Sequence, residues 1–162
     1  MSYPTAQKYV NVLESSRLVF RLPGYQFGAV KRQIKSNKYY FSDVSIASSL
    51  GVDLSAGQRL ELFVISELEK RRKLGRFKCD GFHFFESEKG SEIDVVIDEG
   101  RQVTLIEIKN TERPSSKDMR TLKSFELKKR ARLRRILITH ANSFFDSEGV
   151  EHWPVTSLCG YL

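Results

Sequence analysis

Residues 92–110 read EIDVVIDEGRQVTLIEIKN, and two apolar runs in this segment flank a short polar turn. Both runs are rich in β-branched residues, which favours two adjacent antiparallel strands. Glu99 and Gly100 are the expected central residues of the turn, because glycine readily adopts the positive φ that a tight turn requires. Each strand nevertheless carries acidic residues, so the hairpin is expected to place carboxylates in a largely buried setting.

The spacing predicts a candidate catalytic group on this hairpin. With a two-residue turn, Asp94 falls opposite Leu105, and strict alternation puts it on the face of Glu107 as a diagonal neighbour about 7–8 Å away. Lys109 shares that face. Two carboxylates can hold a hard cation such as Mg²⁺, and a lysine beside them can orient water or stabilise developing charge. The alternative is an ordinary ion cluster on a hairpin, and a one-residue change in the turn would move Asp94 to the opposite face.

Glu61 is a further candidate acid. Ser55 and Gln58 have the spacing of a capping box, which predicts that a helix begins here and runs to about Leu74. Glu61 follows Leu60, the first residue of the apolar stripe of this helix. The alternative for Glu61 is a solvated helix glutamate.

Outward from the hairpin, the chain predicts an α/β sandwich around a mixed sheet. Helices are expected at residues 5–16, 43–50, 56–74 and 115–130, and Pro154 is expected to begin a short C-terminal helix. Strands are expected at residues 17–22, 38–42, 81–85, 92–97, 103–109, 135–139 and 150–153. We expect residues 1–50 to form a helix plus a basic hairpin resembling a winged-helix remnant, and residues 51–162 to form the main domain.

The net charge of the 162-residue chain is +7 and is unevenly distributed. Residues 1–42 sum to +6, residues 43–112 to −4, and residues 113–135 to +8. An acidic centre between basic flanks suggests metal held by the acids and phosphates held by the bases. The expected nucleic-acid contacts are Lys117, Arg120, Lys123, Lys128 and Arg130, whose alternative is a solvated helix face.

Three further features of the sequence indicate the cellular compartment of the protein. No apolar run approaches the length of a membrane span, and the N-terminal residues lack the apolar core of a secretory signal. Cys79 and Cys159 have no CxxC partner, which argues against a disulfide framework or a zinc site. The sequence predicts a cytoplasmic protein with no membrane partner.

Taken together, Glu61, Asp94 and the Glu107–Lys109 segment resemble the PD-(D/E)xK nuclease superfamily, with its restriction-endonuclease-like fold. The whole chain more closely resembles the C-terminal domain of unknown function that follows the ATPase module in predicted archaeal and bacterial AAA-type ATPases. The matching motifs, in order, are Leu13-Glu14, Lys38-Tyr39-Tyr40-Phe41 with Asp43, Gly57 with Glu61, the two hairpin strands, and Trp153-Pro154-Val155.

The resemblance implies a nuclease-like domain with a restriction-endonuclease-like mixed sheet. Asp94, Glu107 and the backbone carbonyl of Ile108 would then be metal ligands for Mg²⁺ or Mn²⁺, with Glu61 as an accessory acid and further candidate ligand. Lys109 would be the catalytic lysine. The sequence has no Gly-x4-Gly-Lys-Ser/Thr phosphate loop, so we expect no ATP site in this chain.

Two functions are therefore expected. The first is metal-dependent phosphodiester hydrolysis, with DNA as the expected nucleic-acid substrate. The second is a catalytically inactive module that binds DNA or protein and is associated with an AAA-type ATPase. A purely structural dimerisation domain is a third reading, and a homodimer is left open.

Overall fold

The structure is a computed structural model that describes residues 2–25, 37–87, 90–127 and 130–159. Its helices are α1 (Tyr3–Ser15), α2 (Val44–Ser49), α3 (Ala56–Lys73) and α4 (Arg120–Ser124), followed by a 3-10 helix (Val155–Cys159). The strands are β1 (Val19–Leu22), β2 (Lys38–Phe41), β3 (Phe82–Glu86), β4 (Glu92–Asp98), β5 (Gln102–Ile108), β6 (Arg132–Thr139), β7 (Phe145–Ser147) and β8 (Val150–Pro154).

A six-stranded mixed sheet with the order β3-β4-β5-β6-β8-β7 organises the fold. Strand β4 is antiparallel to both β3 and β5, whereas β5, β6 and β8 run parallel to one another. Helices flank the sheet, so the predicted α/β architecture with a mixed sheet is confirmed. No helix in the described parts of the chain combines the length and apolarity needed to cross a membrane.

Helix α3 begins at the predicted capping box. The Ser55 Oγ accepts a 3.2 Å hydrogen bond from the backbone N–H of Gln58, and the Gln58 side chain accepts one of 3.0 Å from the backbone N–H of Ser55. The helix then packs on the sheet through Val64, Ile65 and Leu68, which are fully buried. This packing fixes the rotation of the helix and hence the direction in which its first turns project.

The sheet separates two apolar clusters. On the α3 side, the cluster contains Val95, Ile97, Ile106 and Ile136 of the sheet. On the opposite side, where α4 lies, the cluster contains these sheet and helix residues: Ile93, Val96, Val103, Leu105, Leu137, Met119, Leu122 and Phe125. Burial on both faces explains the near-continuous apolar sequence of the central strands.

The predicted hairpin forms, but its register differs from the expectation. Asp98 pairs with Val103 rather than with Arg101, so four residues, 99–102, separate the paired positions instead of the expected two. Gly100 has the expected positive φ of 80°, and its N–H donates to the Asp98 carboxylate at 2.9 Å. The observed pair nearest to Asp94 is Val95 with Ile106. Extending this register by one residue would place Asp94 opposite Glu107 instead of opposite Leu105.

Strand β4 also contains a bulge, which the strict alternation did not anticipate. Val96 pairs with His83 and Ile93 with Phe85, so Asp94 and Val95 together lie opposite a single β3 residue. Ile93 and Val96 both pack on the α4 side, whereas Val95 packs on the α3 side. Alternation therefore breaks at Asp94, and a bulge of this kind re-aims a side chain.

The helix predicted for residues 115–130 is wrong in extent, because α4 has only five residues. The N–H and the hydroxyl of Ser115 both donate hydrogen bonds to the Asp118 carboxylate, each at 2.7 Å. These bonds hold residues 115–118 in a turn instead of a longer helix. At the C-terminal end of α4, Phe125 has an extended ψ of 126°. The Arg135 guanidinium donates a 2.8 Å hydrogen bond to the Leu122 carbonyl, which would otherwise accept from a continuing helix. Tertiary contacts thus override the helical periodicity, although the predicted stripe of Met119, Leu122 and Phe125 is buried.

The N-terminal segment joins the main domain through the core. Strands β1 and β2 pair antiparallel, and Phe20 and Leu22 of β1 belong to the apolar cluster on the α3 side. Helix α1, in contrast, contains no buried residue. Much of the predicted basic hairpin lies at residues 26–36, outside the described residues, and the division between residues 50 and 51 stays a prediction.

Two details of the C-terminal part differ from the expectation. Strand β7 was not predicted, because its three residues are too short to show a periodicity. Pro154 ends β8 instead of beginning a helix, and the helix that follows is a 3-10 helix. Neither difference affects the predicted succession along the chain of α3, the strands β3, β4 and β5, α4 and β6.

Candidate functional site

The predicted acids and the lysine gather at one end of the sheet. Asp94 lies near the start of β4, Glu107 lies at the end of β5, and Lys109 directly follows that strand. Because these strands are antiparallel, the start of one neighbours the end of the other. Glu61 projects from the second turn of α3, and its charge acts on both Asp94 and Glu107.

Asp94 is held across the two strands. Its Oδ2 accepts a 2.7 Å hydrogen bond from the backbone N–H of Ile108 on β5. Next to the bulge, the Asp94 side chain therefore accepts a hydrogen bond of the kind that a backbone carbonyl accepts between paired strands. Burial raises the pKa of Asp94 to about 8, and the neighbouring charges of Glu107 and Glu61 act in the same direction. The metal-free site therefore disfavours a charged Asp94.

Glu107 is the most buried member of the group, with 5% of its surface exposed. Its Oε1 lies 2.6 Å from the Nζ of Lys109, whereas its buried Oε2 has no hydrogen-bond partner among the described residues. Burial raises the pKa of Glu107, and Lys109 only partly opposes this effect. A buried carboxylate oxygen without a partner is costly, and such atoms often mark a site for a missing ion or water.

Lys109 connects the buried acids to solvent. Its side chain is 41% exposed, and its ammonium contacts Glu107. Burial alone would lower the pKa of Lys109, but the hydrogen bond and charge of Glu107, followed by the charge of Asp94, raise it. The lysine is therefore charged near neutral pH and available to a bound anion.

Two residues of β2 complete the surroundings and were missed as site residues from the sequence. The hydroxyl of Tyr40 donates a 2.6 Å hydrogen bond to Oε1 of Glu61, and Lys38 forms an ion pair with Glu92. Burial raises the pKa of Tyr40, and the charge of Glu61 raises it further, so its hydroxyl stays a donor. The sequence did contain a signal for this pair, because Lys38 and Tyr40 are two residues apart on a predicted strand. Their side chains therefore share one face of that strand.

A basic cleft of about 450 Å³ opens beside Glu107 and Lys109. We call it the basic cleft, and its other lining residues are Gly90, Ser91, Glu92, Lys117, Arg120 and Thr121. Lys117 and Arg120, two of the predicted phosphate contacts, therefore line the same cleft as Glu107 and Lys109, and their role in binding phosphate stays a prediction.

The other predicted phosphate contacts are placed differently. Lys123 forms an ion pair with Glu148, and Arg130 is exposed without lining the basic cleft. Lys128 lies outside the described residues.

The arrangement bears on the predicted metal ligands. Among the described residues, no group of three or more His, Cys, Asp or Glu side chains is arranged to hold a metal ion. Of the predicted side-chain ligands, Asp94 and Glu107 lie on the neighbouring strands β4 and β5, and the charge of Glu107 acts on Asp94. Glu61 as an accessory acid stays a prediction.

Comparison with known proteins identifies two matching family models. Residues 56–158 match the Domain of unknown function (DUF4143), and residues 1–59 match the Domain of unknown function (DUF8612). No curated protein and no solved structure is significantly similar to the chain.

The first match covers well over half of the chain and includes α3, the whole mixed sheet and every predicted catalytic residue. DUF4143 is commonly a C-terminal domain in AAA-ATPase-like proteins, in agreement with the resemblance drawn from the sequence. The short N-terminal match ends close to the start of α3 and includes Lys38 and Tyr40. The protein belongs to the DUF4143 family.

Proposed function

We propose that the protein hydrolyses phosphodiester bonds of nucleic acid, with DNA as the expected substrate, in a reaction that depends on Mg²⁺ or Mn²⁺. The observation that carries the proposal is the half-buried Asp94 next to the buried Glu107, with the unpartnered Oε2 of Glu107 beside the basic cleft. The assignment to the PD-(D/E)xK superfamily and to its restriction-endonuclease-like fold is part of the same proposal.

The residues present fit a divalent cation. Two neighbouring carboxylates that both resist ionisation need a positive charge, and Lys109 satisfies only Oε1 of Glu107. Mg²⁺ is typically bound through one or two carboxylates while it keeps several waters, so a two-carboxylate site is sufficient. Asp94 and Glu107 would hold the ion. The carbonyl of Ile108 would assist, because the N–H of the same residue already points to Asp94.

The chemistry requires positive charge and proton transfer. Attack by water forms one P–O bond and breaks another, while the water loses a proton and the leaving oxygen gains one. A bound Mg²⁺ or Mn²⁺ would supply positive charge that polarises the phosphate and the attacking water. Lys109, charged and partly exposed, is placed to orient the water or to stabilise the negative charge that develops on the phosphate.

The basic cleft supports a phosphate-containing substrate. Lys117 and Arg120 line the same cleft as Glu107 and Lys109, so cations surround the acids on the side open to solvent. Backbone phosphates contacted by such side chains provide affinity and register without base specificity.

The decisive experiment compares wild type with Lys109→Ala on labelled single-stranded and duplex DNA and on RNA, with Mg²⁺, with Mn²⁺ and with chelator. We expect metal-dependent cleavage in the wild type, a loss of about 100-fold or more in the variant, and retained binding at moderate salt. Lys8→Ala is the matched control, because Lys8 is exposed on α1. A wild type that cleaves neither DNA nor RNA with either metal would refute the proposal.

The second candidate is a non-catalytic module that binds DNA or protein as part of an AAA-type ATPase system. It is favoured by the lack of a three-ligand group among the described residues and by the direct contact of Lys109 with Glu107. This candidate predicts salt-sensitive binding without cleavage and an equal affinity with and without metal. The same experiment therefore separates the two functions.

A further inference from the structure

A second cleft, of about 620 Å³, opens on the α3 side of the sheet, and we call it the apolar cleft. Leu60, Phe63 and Val155 contribute apolar surface, while Arg59, Asn110 and His140 contribute polar groups. Its volume lies within the range of sites that hold small organic groups. None of these polar residues was predicted as a site residue.

The apolar cleft adjoins the candidate active site. Leu60 directly precedes Glu61, and Asn110 directly follows Lys109, so two cleft residues are chain neighbours of the predicted catalytic residues. The basic cleft lies on the α4 side of the same sheet end, lined by Lys117 and Arg120. Residues next to the candidate active site therefore line two clefts of different chemistry, one suited to phosphate and one with a largely apolar lining.

The lining favours a flat heterocycle over an aliphatic chain. Phe63 is 36% exposed and offers an aromatic ring to an occupant of the cleft. Arg59, Asn110 and His140 are exposed at the cleft and provide hydrogen-bonding groups that an aliphatic chain could not use. A nucleobase has an apolar face for stacking and a polar edge for such groups, and stacking on aromatic side chains is a common way to hold an unpaired base.

We propose that the apolar cleft holds an unstacked nucleobase of a single-stranded nucleic acid whose phosphodiester lies at Asp94 and Glu107. This inference rests on the proposed function and deepens it, because it names the substrate class as single strands or unpaired ends. A base within a duplex is stacked on both sides and cannot enter such a cleft without leaving the helix.

The test measures binding by the full chain in chelator, so that cleavage does not interfere. Fluorescence anisotropy compares a single-stranded oligonucleotide with a blunt duplex for wild type, Phe63→Ala and Leu74→Ala. We expect Phe63→Ala to weaken single-strand binding about 10-fold and to leave duplex binding unchanged. Leu74→Ala is the matched control, because Leu74 is an exposed apolar residue at the other end of α3.

A second measurement reports on the apolar cleft directly. We expect deoxyadenosine 5′-monophosphate, but not deoxyribose 5-phosphate, to shift the imidazole proton resonances of His140, and Phe63→Ala to abolish the shift. Equal shifts with both probes, or single-strand binding unaffected by Phe63→Ala in an enzyme that cleaves, would overturn the inference and leave the proposed function intact. Base-dependent binding without any metal-dependent cleavage would support the base site and refute the proposed function.

Discussion

The hydroxyl of Tyr40 donates a 2.6 Å hydrogen bond to Oε1 of Glu61, which joins β2 to the second turn of α3. Tyr40 lies within the shorter family match and Glu61 within the longer one. The ion pair between Lys38 and Glu92 makes a second connection of the same kind. The N-terminal segment therefore supplies part of the surroundings of the candidate site.

Replacing the Tyr40 hydroxyl should weaken this connection. In Tyr40→Phe the ring remains, but Glu61 loses a donor to a partly buried carboxylate, so we expect the free energy of unfolding to fall by about 1–2 kcal/mol. Urea denaturation followed by circular dichroism provides the measurement. Tyr39→Phe is the matched control, because Tyr39 is exposed on the same strand and should change stability by less than about 0.5 kcal/mol. Equal effects of the two variants would show that the Glu61 contact contributes nothing.

Neutralising one of the paired carboxylates should stabilise the metal-free protein. Burial and the charge of Glu107 raise the pKa of Asp94, so folding of the metal-free protein near neutral pH requires this carboxyl group to take up a proton. Asp94→Asn removes that requirement, and its side-chain oxygen can still accept the hydrogen bond from Ile108. We expect a higher Tm in chelator and the loss of the Tm increase that Mg²⁺ or Mn²⁺ gives the wild type.

Asp53→Asn is the control for that variant, because Asp53 is exposed in the loop before α3. Thermal unfolding with and without metal checks both proteins. A metal-induced Tm increase that survives in Asp94→Asn would exclude Asp94 as a ligand.

The stability of the metal-free protein should decrease as pH rises. The pKa of Asp94 is about 8 in the folded state against an ordinary value of 3.8, so between these values the unfolded chain has released a proton that the folded chain retains. Folding therefore takes up a proton, and the free energy of unfolding falls with increasing pH across this window. Denaturant titrations in chelator from about pH 5 to about pH 8 measure the slope. The slope should flatten in Asp94→Asn, and an unchanged slope would assign it to other groups.

Much of the fold follows from local sequence patterns. The capping box at Ser55, the apolar stripe of α3 and the alternation of the hairpin each act over a few residues, so one sequence suffices to predict them. The gathering of Asp94, Glu107 and Lys109 also follows, because a hairpin brings the start of one strand next to the end of the other.

The remaining features depend on contacts between distant parts of the chain. The bulge at Asp94 is set by how β4 pairs with β3, and α4 is shortened where Arg135 binds the Leu122 carbonyl. Tyr40 reaches Glu61 only because β2 packs near α3. None of these contacts leaves a periodic signal within its own segment, so they become visible only in the assembled structure.

The proposed path of the nucleic acid predicts a specific salt dependence. Lys117→Ala and Arg120→Ala each remove a cation from the basic cleft, so each should reduce the slope of log affinity against log salt by about one. Arg76→Ala provides the control, because Arg76 is exposed just beyond the far end of α3, about 27 Å from the helix start at the site. Anisotropy titrations with single-stranded DNA over a range of salt concentrations measure the slopes. Equal slopes for all three variants would mean that the attraction comes from the overall positive charge, and phosphates would then have no defined place beside Glu107 and Lys109.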